Sequence, residues 1–257
     1  MTPARRRLAV LCSDGWHNRY LVAVLRQRFD VAAVVVETSS GQVRRLRERH
    51  RWRDLAARSY HRWRRRWVGA AAFQRRFFAG LLGSGSPPPP DMVVDDVNDA
   101  AVVALLARVA PDATVVMSTS LLRAATLQAA GPTVLNVHGG VLPDYRGNQC
   151  MFFALLAGDL DGIGSTIHFV DDGIDTGDVV EVVRPPAGSV DLEWLYCHSQ
   201  KLAIDRLADL LEAWEQGADL PRWPQRVRGR LYRNRDRTPL HDLLLWWRLR
   251  SMRFSAR

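Results

Sequence analysis

Lysine is almost missing from this chain: of its 36 lysines and arginines, only Lys201 is a lysine. That imbalance, with the many alanines and valines, has the look of codon bias toward GC-rich DNA, and it discounts the formal net charge of +9 as a pointer to a partner. A positive field of that size still favours an anionic substrate, a nucleic acid or a membrane surface over their cationic counterparts. Cysteine is scarce as well. Cys12, Cys150 and Cys197 lie far apart with no C-x-x-C spacing, which argues against a disulfide framework and a structural zinc site and fits a reduced, cytoplasmic setting. No metal is expected. No apolar stretch has the length to span a bilayer. The opening MTPARRRLAVLCSDG is basic, but its apolar run is too short for a secretory signal and reads as a first strand. What is present is ordinary: 257 residues, 47% hydrophobic, enough for one α/β unit with a sizeable core.

Residues 7–13 (RLAVLCS) meet Asp14 and Gly15, the pattern of a buried strand ending in a turn. Tyr20, Leu21, Val24, Leu25 and Arg28 follow at helical spacing, and 31–36 (VAAVVV) read as a second buried strand. A β-α-β order predicts a right-handed crossover and a parallel sheet. The alternation resumes with a helix over 98–109, a strand over 113–117, a helix over 120–129 and a strand over 133–138. It continues with a helix over 148–158, strands over 165–171 and 178–184, and a long helix over 191–216. The fold class is therefore α/β, a doubly wound, mostly parallel, Rossmann-like sheet occupying residues 1–220.

Two segments stand apart from it. A helical insertion at about 43–90 is dense in Trp52, Arg62, Trp63, Arg64, Arg65, Arg66 and Trp67, then turns apolar through Phe73, Phe77 and Phe78. Its 43–82 part predicts one or two amphipathic helices with a solvated basic face, and the breaker run 83–90 (GSGSPPPP) an exposed loop. Residues 221–257 form a short, basic C-terminal extension, with a short strand or hairpin near 228–233 and a Leu/Trp-rich segment at 240–250. It is expected to pack on the domain or on a dimer partner.

The chemistry concentrates between Val134 and Gly177. Asn136 and His138 close an apolar strand, and alternate residues of a strand project to one side. In an open α/β sheet they would line the crevice at the strand ends. Gly139 and Gly140 leave open backbone beside them, Pro143 to Gly147 form a rigid loop, and DDGIDTGD brings Asp171, Asp172, Asp175 and Asp178. An amide, an imidazole and a carboxylate suit acyl transfer to nitrogen. A histidine can take the amine's proton near neutral pH, an asparagine NH₂ can stabilise the oxyanion, and a carboxylate raises the imidazole's basicity. No nucleophilic Ser or Cys is needed. His168, alone on an apolar strand, reads as structural, and Asp171 and Asp172 as shaping the loop.

LNVHGGVLPDYRG (135–147), followed by GSTIHFVDDGIDTGDVV (164–180), resembles the folate-dependent formyltransferase family. That family includes methionyl-tRNA, glycinamide ribonucleotide and sugar N-formyltransferases. The resemblance implies Asn136, His138 and Asp175 as the catalytic trio. It also implies N10-formyltetrahydrofolate as donor, held by Met117, Ser118, Ser120, Leu121 and Leu122 after one strand and by Val170, Asp171 and Asp172 after another. The sequence departs from the family pattern at SDGWHNR (13–19), in the insertion, and in the length left for a C-terminal barrel after the catalytic region. Those departures turn the expectation from initiator tRNA or a purine precursor to an amino sugar, often nucleotide-linked in this family. Asp14, Trp16, His17 and Arg19, after the first strand, are expected to touch this amine acceptor, along with Gly139, Gly140, Tyr145 and Arg146. Arg146 suits a phosphate through its planar fork.

Sugar-modifying relatives imply a homodimer. Nucleic acid is not an expected partner, and a membrane surface is not favoured. The rival readings are a formyltetrahydrofolate hydrolase, in which water replaces the amine, and a non-catalytic anionic-surface-binding protein on the same fold.

Overall fold

The computed structural model describes residues 6–83, 88–186 and 189–255. Its centre is a seven-stranded sheet. Five strands carry the parallel part: β1 (Arg7–Ser13), β2 (Asp30–Glu37), β3 (Met92–Val94), β4 (Ala113–Met117) and β5 (Thr133–His138). A three-residue strand, β6 (Tyr145–Gly147), lies apart, and β7 (Ser165–Phe169) and β8 (Val179–Val183) complete the large sheet in the order β3-β2-β1-β4-β5-β7-β8. The pairs among β1 to β5 are parallel; β5·β7 and β7·β8 are antiparallel. The parallel strands need cover on both faces, which is why they read as continuous apolar runs.

One face packs under α1 (Trp16–Arg28) and α8 (Leu192–Glu215), burying Val10, Cys12, Leu135, Val137, Ile167 and Ile204. The other packs under α5 (Ala100–Val109) and the short α6 (Ala124–Ala129), burying Leu11, Val35, Val116 and Val134. Asp99 and Asp191 cap α5 and α8, accepting from the main-chain N–H of Ala101 and Trp194, which satisfies donors that a helix start leaves open.

The insertion forms three helices rather than one or two, and begins earlier than its composition shows: α2 (Ser39–Glu48), α3 (Trp52–Trp67) and α4 (Ala70–Leu82). The breaks fall at His50 and Gly69, both in the left-handed region (φ 53° and 74°). Gly69 adopts that conformation without steric cost; His50 carries no comparable signal. Residues 84–87 of the breaker run lie outside the described residues.

The C-terminal segment folds back onto the body. β9 (Arg230–Tyr232), the short strand expected near 228–233, pairs in parallel with β6 across a long sequence separation and not in a hairpin. A single 3₁₀ turn (Asn234–Asp236) leads into α9 (Pro239–Ser255). There Leu245 joins Phe152 and Phe153 of α7 (Cys150–Ala157), with Tyr145 and Tyr232, in a third apolar cluster. Insertion and tail also hold each other: Tyr60 Oη donates to Asp242 at 2.6 Å, and His61 Nε2 pairs with the Asn234 carbonyl at 2.7 Å. Among the described residues no helix is long and apolar enough to cross a membrane.

Glu37, at the end of β2, ties the insertion to the sheet. It is 0% exposed. One carboxylate oxygen accepts from Arg45 at 2.6 Å and the Val97 N–H at 3.1 Å; the other accepts from Gln42 and the Ser120 N–H, both at 2.7 Å. Glu37→Gln turns two of these donors against an amide NH₂ and leaves the Arg45 charge without its closest partner. The expected loss is about 3 kcal/mol, read as a lower urea midpoint at unchanged slope. A loss below about 0.5 kcal/mol, the scale of an ordinary surface change, would show that the carboxylate is not the tie.

Candidate active site

Along β5, Leu135 and Val137 enter the α1/α8 core, so Asn136 and His138 project from the opposite face. Across the antiparallel register Asn136 faces His168 and His138 faces Thr166. Ile167 and Phe169 also belong to the α1/α8 core, so His168 and Thr166 share the face of Asn136. Four polar side chains thus meet on one patch of an otherwise apolar sheet.

The loop after β7 folds over that patch. Gly177 allows it, because a Cβ there would stand 2.0 Å from the Phe169 carbonyl oxygen. Asp175 sits in the left-handed region (φ 53°), a conformation that Asp tolerates but that needs support. The support comes from several sides. The Gly147 N–H donates to Asp175 Oδ2 at 2.8 Å. Arg146 donates through Nε and Nη2 to the Ile174 carbonyl at 3.0 and 2.7 Å. Gln225 donates to the carbonyls of Asp175 and Gly177 at 3.2 and 2.7 Å. Asp175 Oδ2 then stands 3.5 Å from His138 Nδ1, and Oδ1 stands 3.6 Å from His168 Nε2.

The hydrogen positions follow from the acceptors. His138 Nε2 lies 2.9 Å from the Tyr145 carbonyl, which can only accept. Nε2 therefore carries the hydrogen, and Nδ1 presents its lone pair toward Asp175. His168 Nδ1 lies 2.7 Å from the Phe169 carbonyl and must donate there. His168 Nε2 then accepts from Asn136 Nδ2 at 3.0 Å, which leaves the second Nδ2 hydrogen of Asn136 for a ligand. Burial lowers the His138 pKa against the opposing pull of Asp175. Burial also raises the Asp175 pKa, but the facing His138 and His168 and the Gly147 N–H outweigh it and hold the carboxyl well below the usual carboxylate range. At neutral pH the site holds a neutral imidazole beside a carboxylate. Burial and then Asp175 push the Cys150 thiol up, which removes it as a nucleophile. Among the described residues no group of His, Cys, Asp or Glu is placed to hold a metal.

The remaining sequence-derived residues divide by location. Met117 is buried at the end of β4, and Ser118 to Leu122 form the loop beyond it, with Leu121 exposed and Leu122 buried. Val170 donates its N–H to the Val134 carbonyl at 2.8 Å. Asp171 accepts from the Gly173 N–H and from Thr176 at 3.1 and 2.6 Å and so shapes the loop, while Asp172 is exposed. The loop at 118–122 follows β4, whose Val116 pairs with Asn136, and the loop at 171–174 follows β7, whose His168 faces Asn136. His17 Nε2 pairs with Ser118 Oγ at 3.0 Å, joining the first turn to this rim.

Asp14 accepts from the Ser39 N–H at 3.3 Å, and Arg19 lies over the Trp16 ring. Asp14 and Arg19 also line a cavity of about 220 Å³ with Cys12, Val34 and Pro88; Cys12 and Val34 place it on the α1 face, away from His138. Gly140 permits the His138 geometry, since a Cβ there would come within 2.8 Å of His138 Nε2. Gly139 abuts the Gln200 amide. Tyr145 is buried, donates to Asp159 at 2.8 Å and stacks on Tyr232. Arg146 is buried with its guanidinium on main-chain carbonyls. Both side chains are engaged by protein partners and brace the surrounding loops. His168 and Gln225 belong to the site although the sequence marks neither. The strand register reveals the first, and the path of the tail reveals the second.

The family model described as Formyl transferase matches residues 6–192. The chain belongs to the formyl transferase family. Among its curated relatives, the methionyl-tRNA formyltransferase of Finegoldia magna is 39% identical over 88 residues, 34% of this chain and 28% of that protein. That of Anaeromyxobacter dehalogenans is 34% identical over 129 residues, 49% of this chain and 41% of that protein. The chain therefore spans well under half the length of the curated relatives it matches. Among solved structures, a sugar N-formyltransferase from a Shewanella species has a TM-score of 0.57 at 16% identity, covering 93% of this chain and 86% of that one. The phosphoribosylglycinamide formyltransferase of Anaplasma phagocytophilum has a TM-score of 0.54 at 15% identity, covering 83% and 88%. These likenesses establish the fold of this formyl transferase family member.

Burial pushes the His17 pKa down to about 4, with Arg65 adding to the shift, and lowers His138 in the same sense. A histidine held neutral binds fewer protons folded than unfolded between its ordinary value near 6.5 and its folded value, so the unfolded state gains as pH falls through that window. Urea stability should therefore drop between pH 6.5 and about 4, with a shallower slope in His17→Gln. In ¹⁵N NMR at neutral pH, His138 should appear as the Nε2–H tautomer; an Nδ1–H tautomer would contradict the assignment.

Proposed function

We propose that this chain transfers the formyl group of N10-formyltetrahydrofolate to the amine of a small molecule, an amino sugar or nucleotide-linked amino sugar. The observation that carries this reading is the meeting of an unprotonated imidazole nitrogen, a carboxylate behind it and a free amide N–H on one patch of β5. Asn136 Nδ2 donates to the formyl oxygen as charge develops there, an effect worth on the order of 3 kcal/mol in comparable sites. His138 Nδ1 accepts the proton that the attacking amine gives up. The imidazolium so formed turns its new N–H toward Asp175 Oδ2, the atom already 3.5 Å away, and the carboxylate favours that charged form. His138 then returns the proton to the departing nitrogen.

The donor's chemistry fits the rim. Its flat heterocycle offers apolar faces to Leu121 and Ile174, both exposed on the loops after β4 and β7. When bound, the donor supplies an activated formyl carbon. The amino-sugar acceptor rests on the departures at 13–19 and 43–82 from the family pattern, and a sugar N-formyltransferase stands among the fold neighbours.

His138→Ala should abolish transfer to an amino-sugar acceptor while circular dichroism and thermal unfolding stay near wild type; near-normal turnover would sink the assignment. Asn136→Ala should lower kcat by roughly a hundred- to a thousandfold. Calorimetry with a stable folate donor analogue should show binding to both proteins. Absent binding to folded wild type would remove the donor, and donor breakdown that needs no amine would replace transfer with hydrolysis.

A further inference from the structure

The arginines of α3 sort by face. Arg58 donates to Gln42 at 2.8 Å, Arg65 donates to Gln74, and Arg64 faces Glu193 and Asp242, so these three turn toward the body. Arg53, Arg62 and Arg66 turn outward and form no ion pair among the described residues. Asp54, the only acidic residue of the helix, is taken up by Arg51 and Arg235.

The outward face is not merely solvated. Trp52, Trp63 and Trp67 are 56%, 60% and 77% exposed. At about 100° per residue they fall within about 60° of one another, with Arg53 on one flank and Arg62 and Arg66 on the other. Trp63 and Trp67 stack at 5.8 Å. α9 repeats the arrangement. Leu240, Leu243, Leu244 and Trp247, at i, i+3, i+4 and i+7, form an apolar stripe that faces solvent instead of the core, and Arg250 lies over Trp246 beside it. Asp242 joins the two helices through Tyr60 and Arg64.

We infer that these two faces form a docking surface for an anionic lipid bilayer. Tryptophan and leucine on a helix face bordered by arginine are the residues of a helix lying in the membrane interface, where indole rings seat at headgroup level and cations meet anionic lipid. A second copy of the chain is the poorer occupant. A two-fold contact sets a patch against itself and would bring two faces that both carry Arg53, Arg62 and Arg66 together, whereas anionic headgroups complement them.

The test uses the full chain with phosphatidylcholine vesicles, alone or with about one third phosphatidylglycerol. Co-sedimentation and a blue shift of tryptophan emission are expected with the anionic vesicles, and both weaken in ~0.5 M salt. The triple variant Arg53→Ala, Arg62→Ala, Arg66→Ala should partition about a hundredfold more weakly. Trp63→Ser with Trp67→Ser should shrink the blue shift and weaken co-sedimentation, the remaining shift coming from Trp52, Trp246 and Trp247. All five side chains are exposed, so folding is expected to survive and is checked by circular dichroism. Failure to co-sediment with anionic vesicles overturns the inference. So does a dimer in sedimentation velocity that the tryptophan variant dissolves without vesicle binding, and so does RNA binding in place of vesicle binding. None of these readouts depends on formyl transfer.

Discussion

The hydrogen bond from His138 Nε2 to the Tyr145 carbonyl governs the site, because a carbonyl acceptor leaves no choice of tautomer. With the hydrogen committed there, the lone pair falls on Nδ1, on the side of Asp175. The carboxylate, which already accepts the Gly147 N–H, therefore meets no imidazole N–H from His138 while that ring is neutral. That differs from a carboxylate that merely holds a histidine in place, and it explains why the Nδ1 to Oδ2 separation of 3.5 Å is longer than a formed charged hydrogen bond. The bond needs the Tyr145 carbonyl in one place. The Tyr145 ring is anchored through Asp159 and its stack on Tyr232, and Phe153 stacks on the other ring at 4.2 Å. The third apolar cluster is thus the ground on which the imidazole stands.

Asp175 is held by groups that do nothing else. Arg146 spends its guanidinium on the Ile174 and Gly229 carbonyls, and Gln225 its amide on the backbone either side of Thr176. A planar fork suits two bonds to one carbonyl in a buried place, where a lysine would supply a compact charge of the wrong shape. Because Gln225 and Gly229 belong to the segment after α8, and Trp223 pairs with Val179 in both directions, the tail is a structural part of the site and not an appendage. The insertion is bound in turn to the tail through Tyr60 and His61. Glu37 then closes the circuit from the insertion to the Ser120 loop on the other rim.

The strands of the parallel sheet could be read from sequence because burial on both faces leaves an unbroken apolar run, and Asn136 and His138 stood out as polar breaks in such a run. The family pattern then marked Asp175. What escaped was set by pairing between distant residues. β6 is three residues long and has no periodicity of its own, and the short strand expected near 228–233 gave no sign that β6 is its partner. His168 looked structural because one histidine in an apolar strand usually is; only the register that sets it opposite Asn136 makes it a member of the site. Tyr145 and Arg146 read as ligand groups because their loop adjoins the motif; the bonds of Tyr145 to Asp159 and of Arg146 to the Ile174 carbonyl join distant residues and carry no signal in the sequence. The third helix of the insertion was hidden because its first break falls at His50, where nothing in the residue type asks for a left-handed backbone.

The near-absence of lysine concerns which cation this chain uses, not where its arginines point. On α3, three of them find acceptors in the body, and that alone would suffice to dock the helix. Three more face outward beside three tryptophans. A helix face that only meets water gains nothing from indole rings, since each leaves apolar surface unburied at roughly 25 cal/mol for every Å². Placing them between like charges also deters the simplest remedy, association with a second copy. A surface that repels itself and is apolar at its centre is satisfied by a partner that is anionic at its boundary and apolar beneath, and a bilayer has that layering.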